Sequence, residues 1–179
     1  MRLLPVFLLA ATPLWAAGTA QEQDARAIEA LSRSEVPGMS DGRWPWSPKK
    51  PTGWSTVTLF ELDGCLVTQR RMTKGPPFPI DLDSALTFDL ARTTIPDPAG
   101  PENGLYPPLP HLEVGAEIIL TLAEGFEATP TGGGAHLLGQ PQPQGFVIHE
   151  ILDAKDITPV LALAQALIDY KAKWCSPSS

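Results

Sequence analysis

The sequence predicts an α+β protein: a mostly antiparallel sheet of about five or six strands, a short N-terminal helix, and a C-terminal helix packed on one face of the sheet. Segments in which apolar and polar side chains alternate recur between residues 54 and 152, as expected for strands. The dipeptide Asp63-Gly64 separates the first two of them and is typical of a hairpin turn. A segment with helical spacing of apolar residues follows all the strands.

The first 20 residues have the organisation of a secretory signal peptide. Arg2 supplies a positive charge, residues 3–14 are almost wholly apolar, and the small residues up to Ala20 suit a signal peptidase. The apolar run is shorter than the ~20 residues that a membrane-spanning helix requires. We therefore expect a leader over residues 1–20, a single α+β domain over residues 21–179, and a mature protein that is periplasmic or extracellular.

A short helix is predicted directly after the leader. Apolar side chains recur at helical spacing over residues 24–35, Asp24 is a suitable N-cap, and Pro37 ends the segment. Residues 38–53 are rich in proline and glycine, which predicts a loop between this helix and the first strand.

The first two strands, 54–62 and 65–72, are predicted to form a hairpin. In a type I′ turn both central residues have positive φ, and Asp-Gly is one of the favoured pairs for these positions. Such a turn fixes the register and gives the hairpin one face that is apolar near the turn. The pairs expected on that face are Leu62 with Cys65, Phe60 with Val67, and Thr58 with Gln69.

Three later segments are also predicted to be strands. Residues 83–93 and 111–122 alternate between apolar and polar side chains. Residues 145–152 form a continuous apolar run, which is typical of a strand buried on both faces. Loops rich in proline or glycine, 96–110 and 125–144, separate these strands.

The C-terminal helix has the clearest boundaries in the sequence. Thr158 is a suitable N-cap, Pro159 suits the first helical position, and apolar residues at helical spacing continue to Trp174. Cys175 follows directly, so its position relative to the sheet depends on how this helix packs.

Cys65 and Cys175 are the two cysteines of the chain. In an oxidising compartment an even pair predicts a disulfide, which would hold the C-terminal helix against the hairpin. Closing a loop of this length stabilises a fold by about 4–5 kcal/mol in the chain-entropy model. Two free thiols are the alternative, because sequence does not show whether the cysteines are close.

The charge of the chain argues against several classes of partner. The formal net charge is −7, and it becomes −8 when Arg2 is removed with the leader. An acidic protein repels nucleic acid and anionic lipid, so neither is expected as a partner. No segment after the leader is long and apolar enough for a membrane span.

The sequence carries no recognisable catalytic or cofactor motif. His111, His136 and His149 lack the spacing of metal ligands, and neither a Gly-x-Ser-x-Gly elbow nor a phosphate-binding glycine loop occurs. We therefore predict no metal, no cofactor and no catalytic residue. Each histidine is expected to be bonded in the core or to lie on the surface.

The candidate binding residues are Trp44, Trp46 and Trp54. Three of the five tryptophans thus fall within one short stretch of the predicted loop and strand. Aromatic faces in a loop can stack on a sugar, a cation or a partner's proline. The alternative is that these side chains fold back and cover one end of the sheet.

These observations favour an exported, non-catalytic protein that binds a small ligand or an envelope protein. A small exported hydrolase with scattered Asp, Glu and His residues is one alternative, and a structural accessory subunit of an envelope complex is another. A cleft lined by histidine and acids would favour the hydrolase, and a flat apolar patch would favour the subunit. A closed pocket that contains Trp44 or Trp46 would favour a small ligand.

Overall fold

The computed structural model describes residues 19–39, 51–74, 82–100, 105–106, 116–131, 145–151 and 156–175. It confirms the α+β class, with two helices and mostly antiparallel strands. The elements in chain order are α1 (Ala20–Ser32), β1 (Ser34–Met39), β2 (Pro51–Asp63), β3 (Leu66–Lys74), β4 (Leu82–Asp89), a 3₁₀ helix (Leu90–Arg92), β5 (Thr93–Thr94), β6 (Leu105–Tyr106), β7 (Ala116–Leu122), β8 (Thr129–Thr131), β9 (Phe146–Ile151) and α2 (Thr158–Trp174).

The first sheet, sheet A, has five antiparallel strands in the order β1-β2-β3-β4-β8. Strand β1 begins within the segment 24–35 that was predicted to be helical, includes Pro37, and ends at the start of the predicted loop 38–53. Because β1 lies at the edge of the sheet, a proline that cannot donate to a neighbouring strand is tolerated there. The fold therefore has one more strand before the hairpin than the sequence predicted.

The β2–β3 hairpin forms where it was predicted, but its turn lies one residue further along. Asp63 pairs with Leu66, so Gly64 and Cys65 are the two loop residues. Gly64 has a φ of 58° at the first loop position, where a glycine is the residue best able to adopt it. The register is shifted by two residues of β3 relative to the prediction, so Leu62 pairs with Val67 and Phe60 with Gln69. Because a shift of two residues keeps each side chain on the same face, the two faces of the hairpin are unchanged.

The second sheet, sheet B, is built around β7. Strand β9 pairs with β7 along most of its length, from Ala116 opposite Ile151 to Thr121 opposite Phe146. The two short strands β5 and β6 also pair with β7, and since one edge is occupied by β9 they share the other. All these pairs are antiparallel. Among the described residues, β9 pairs with β7 along one edge, and no strand pairs with its other edge.

Strand β9 corrects one prediction. Its continuous apolar sequence predicted burial on both faces, but only the side chains of Val147, His149 and Ile151 are buried. Phe146 and Ile148 on the opposite face are 45% and 41% exposed. The prediction was wrong because the buried histidine and the exposed apolar residues conceal the alternation that normally identifies a strand with one solvent-facing side.

Both helices pack on the core. Helix α1 begins at Ala20, four residues before the predicted start, because Thr19 and Glu22 form a capping box. Helix α2 begins at Thr158 itself, with Ile157 at the N-cap. In the described part of the chain, no helix is long and apolar enough to cross a membrane. The buried residues of α2 are Val160, Leu163, Ala164, Leu167 and Tyr170.

Candidate functional site

The two cysteines lie at disulfide-bonding distance, as the sequence predicted. Their Cα atoms are 5.6 Å apart, with Cys65 in the hairpin turn and Cys175 directly after α2. The Tyr170 hydroxyl donates to the Gly64 carbonyl at 2.9 Å, and the backbone N–H of Leu90 donates to the Cys65 carbonyl at 2.8 Å. The hairpin turn is therefore held from α2 and from the 3₁₀ helix as well as through the sulfur atoms.

The predicted tryptophan site falls largely outside the described residues. The structure does not describe segment 40–50, which contains Trp44 and Trp46. Trp54 lies in β2, but its side chain is not among those the structure describes. Their role in binding therefore stays a prediction. Two of the three histidines, His111 and His136, also lie outside the described residues.

His149 lies where the two sheets and helix α1 meet. Its side chain is fully buried, and its ring stacks on Phe60 of β2 with centroids 4.0 Å apart. Nε2 lies 2.9 Å from the carbonyl oxygen of Ser32, the last residue of α1, and Nδ1 lies 3.1 Å from Nε2 of Gln69 in β3. One imidazole ring thus connects the end of a helix, sheet A and sheet B.

The partners of His149 determine its tautomer. A carbonyl oxygen can only accept, so Nε2 carries the hydrogen that is donated to Ser32. The Gln69 amide nitrogen also donates to the Ile148 carbonyl at 2.7 Å, which fixes the orientation of the amide. Its second hydrogen is then available to Nδ1, which accepts it. Every polar atom in this arrangement is satisfied only when His149 is neutral.

Ser32 links the same cluster to the backbone of sheet A. Its hydroxyl accepts from the backbone N–H of Phe60 at 2.8 Å and donates to the Glu29 carbonyl within α1 at 3.1 Å. Ser32 therefore uses its hydroxyl for β2 and its carbonyl for His149. We call this group of Ser32, Phe60, Gln69 and His149 the histidine cluster.

Two side chains of sheet A form hydrogen bonds to the edge of β9 that no described strand pairs with. Thr58 donates its hydroxyl to the Glu150 carbonyl at 3.1 Å, while Gln69 donates to Ile148. An uncovered edge exposes unpaired backbone groups and invites pairing with another chain. These two bonds satisfy two carbonyl groups on that edge and join the two sheets.

Burial lowers the pKa of His149 from 6.5 to about 4. Desolvation disfavours the charged ring, and the hydrogen bond to the Ser32 carbonyl opposes this only in part. The histidine is neutral at physiological pH, and both its nitrogens are engaged by structural partners. It therefore stabilises the fold and is not positioned as a general base for a substrate.

Replacing Ser32 with alanine tests the histidine cluster. The buried N–H of Phe60 then loses its acceptor, and we expect the free energy of unfolding to fall by about 1–3 kcal/mol. Chemical denaturation measures this change. Ser84→Ala is the matched control, since its hydroxyl makes an exposed contact of 3.5 Å, and it should change stability by less than about 0.5 kcal/mol. Equal effects of the two substitutions would contradict the assigned role of Ser32.

The outer face of sheet B carries an apolar patch. Ile119 lies opposite Ile148, and Thr121 lies opposite Phe146, so these four side chains share one face of β7 and β9. We call them the β7–β9 patch. Ile119 is half-buried, while Phe146 and Ile148 are among the most exposed large apolar residues of the described chain. Phe146 and Ile148 lie in the apolar run 145–152, so the sequence contained these exposed residues as part of a recognised pattern. The sequence analysis assigned that whole run to the core.

Charged groups lie at one end of the β7–β9 patch. Glu117 is directly opposite Glu150 on the same face. Arg71 of β3 lies 3.7 Å from the Glu150 carboxylate and is the one cation within ion-pair distance of either acid among the described residues. Adjacent like charges repel, so this end of the patch has an excess of negative charge.

The described side chains suggest no metal centre: no group of three or more His, Cys, Asp or Glu residues among them could hold an ion.

Comparison with family models, with curated proteins and with solved structures finds no match for the chain. The functional argument therefore depends on the chemistry of the surfaces themselves.

Proposed function

We propose that this chain is an exported, non-catalytic protein that binds an envelope protein through the β7–β9 patch. The observation that carries the proposal is the exposure of Phe146 and Ile148 beside Ile119 on one face of sheet B. Large apolar side chains grouped on a surface mark protein–protein contacts more often than ligand pockets, which are concave. A partner protein is therefore favoured over a small ligand, and the same patch is the feature expected for the accessory-subunit alternative.

The surroundings of the patch define the chemistry of its partner. Removing the apolar side chains of Phe146 and Ile148 from water favours association when the partner covers them with apolar side chains of its own. Glu117 and Glu150 at one end favour a lysine or arginine on the partner close to that end. We therefore infer an apolar segment flanked by a basic residue.

The export component of the proposal is supported by two features. Residues 1–20 have the charge, length and cleavage pattern of a leader, and the two cysteines lie where a disulfide can form. Disulfides persist in the periplasm and outside the cell, whereas cytosolic thiols are kept reduced. The hydrolase alternative gains no support from His149, because its ring is buried and both nitrogens are bonded.

Site-specific photocrosslinking in intact cells tests the proposal. A photoreactive phenylalanine analogue replaces Ile148 in the full leader-bearing chain, and a second variant carries it at Leu66, which is 52% exposed on sheet A. We expect Ile148 to give one dominant adduct with an envelope protein and Leu66 to give none. The adduct should disappear when Phe146 is also changed to serine, and it should persist when Leu31 is changed to serine.

Three outcomes would overturn the proposal. They are equal crosslinking from both positions, an adduct whose mass corresponds to two copies of this chain, and failure to detect the protein outside the cytoplasm. A parallel variant with Trp44→Ala and Trp46→Ala tests the tryptophans. Retention of the Ile148 adduct assigns binding to the patch, whereas its loss in a stably folded variant would assign binding to the tryptophan loop instead.

A further inference from the structure

We propose that Cys65 is the site at which a thiol–disulfide oxidoreductase joins this chain: the enzyme forms a mixed disulfide with Cys65, and Cys175 then displaces the enzyme. The inference rests on the proposed export, because such enzymes oxidise proteins outside the cytoplasm. It requires no partner at the β7–β9 patch. Two independent features of the structure indicate Cys65 and not Cys175.

The first feature is the access that a second protein has to each cysteine. Cys65 is half-buried and lies in the hairpin turn, where Gly64 before it and Leu66 after it are both exposed. Cys175 is 6% exposed and belongs to the hydrophobic core. The rate of thiol–disulfide exchange depends on access to the sulfur atom that is attacked. In the folded protein, an enzyme therefore reaches Cys65 far more readily than Cys175.

The second feature is the order in which the structure can form. The β2–β3 hairpin is closed by pairs between residues 55 and 74, so its turn can form without later parts of the chain. Helix α2 packs on core residues that are distant in sequence, and it is the last element of the described chain. A chain that is exported from its N-terminal end exposes Cys65 110 residues before Cys175. Cys65 is therefore the first thiol available for oxidation.

Docking of α2 then supplies the second thiol. The Tyr170 hydroxyl donates to the Gly64 carbonyl at 2.9 Å, which holds the end of the helix against the hairpin turn. The backbone N–H of Cys175 donates to the Lys171 carbonyl at 2.9 Å, so helical hydrogen bonding continues up to the cysteine itself. The Cα atoms of Cys65 and Cys175 are 5.6 Å apart in this arrangement. Docking thus presents Cys175 to the mixed disulfide at a high effective concentration.

The two exchange steps balance in atoms and electrons. The Cys65 thiolate attacks one sulfur of the enzyme's disulfide, which forms the mixed disulfide and releases the enzyme's other cysteine as a thiolate. The Cys175 thiolate then attacks the Cys65 sulfur, which forms the bond between Cys65 and Cys175 and releases the enzyme's first cysteine. The two thiols of this chain lose two electrons and two protons in total, and the enzyme's disulfide is reduced to a dithiol.

Trapping the mixed disulfide in cells tests the proposal. Cys175→Ser removes the thiol that displaces the enzyme, and Cys65→Ser is the matched control because it abolishes the same bond and also leaves one free cysteine. Cells that express the full leader-bearing chain are quenched with acid, free thiols are alkylated, and adducts are separated without reductant. We expect Cys175→Ser to give a reducible adduct with an oxidoreductase and Cys65→Ser to give about tenfold less of it. Mass spectrometry shows whether the attached protein carries a pair of redox-active cysteines.

A measurement on the unmodified exported protein does not depend on how well the variants fold. Glutathione attacks the disulfide in the reverse direction and leaves one of the two cysteines glutathionylated. After a brief reaction at neutral pH, acid quenching and alkylation, peptide mapping should find glutathione on Cys65 about tenfold more often than on Cys175.

Equal adducts from the two variants, a stronger adduct from Cys65→Ser, or glutathione mainly on Cys175 would overturn the proposal. An exported chain in which the bond forms while neither variant gives an adduct would also overturn it. Failure of export has a different signature, because the leader then stays attached and both cysteines of the unmodified chain are alkylated in the cytoplasm. That result would overturn the proposed function together with this inference.

Discussion

Replacing Cys65 with serine is expected to lower the free energy of unfolding by about 4–5 kcal/mol, and the melting temperature by about 10–18 °C. The bond between Cys65 and Cys175 would close a loop with a sequence separation of 110 residues. Its removal lets the unfolded chain adopt many more conformations, which is where most of the effect arises in the chain-entropy model. Thermal and urea denaturation of the exported protein measure the two quantities.

The denaturant slope separates this mechanism from a loss of packing. Without the cross-link the unfolded chain exposes more surface, so the m-value in urea should rise when Cys65 is changed. Because the bond acts as one unit, Cys175→Ser and the double variant should resemble Cys65→Ser rather than add to it. Unchanged stability, with two thiols reacting per unfolded molecule of the parent protein, would show that the bond does not form.

The sequence predicted those parts of the fold that depend on local patterns. The hairpin follows from one glycine between two alternating segments, and α2 follows from its apolar spacing and its proline near the start. The pairing of Cys65 with Cys175 was predictable from the compartment and from an even count. None of these inferences requires knowledge of distant contacts.

The parts that were missed depend on contacts distant in sequence. The side chains of β9 alternate between core and solvent because one face of the strand packs on the core, and His149 can be buried there because Ser32 and Gln69 bond to its ring. A periodicity argument treats histidine as polar and isoleucine as buried, so it cannot assign these positions correctly. The histidine cluster joins α1, β2, β3 and β9, and no local spacing records that arrangement.

The turn position shows how small a local error can be. Asp63-Gly64 was expected to occupy both central positions, but Asp63 remains in the strand and Gly64, with positive φ, takes the first loop position. A register shift of two residues keeps every side chain of both strands on its predicted face. The prediction that Phe60 and Val67 lie on the apolar face was therefore correct. A slide of one residue would have exposed the core.

Replacing Phe60 with alanine is expected to lower the free energy of unfolding by about 3–5 kcal/mol. Its side chain is fully buried, and its ring makes an edge contact with Phe88 at 6.1 Å between centroids as well as the stack on His149. Truncation removes both ring contacts and leaves a cavity between the two sheets, which surrounding residues can only partly fill.

The expected signature of Phe60→Ala differs from that of the cysteine variant. Since the folded state is affected and the unfolded chain is not, the urea midpoint should fall while the m-value stays constant. Leu66→Ala on the same hairpin is the matched control: its side chain is 52% exposed, and its removal should change stability by less than about 0.5 kcal/mol. If both truncations cost the same, Phe60 does not occupy the centre of the core. In that case the position of His149 beside it would also be wrong, because the stacked rings place each other at the junction of the two sheets.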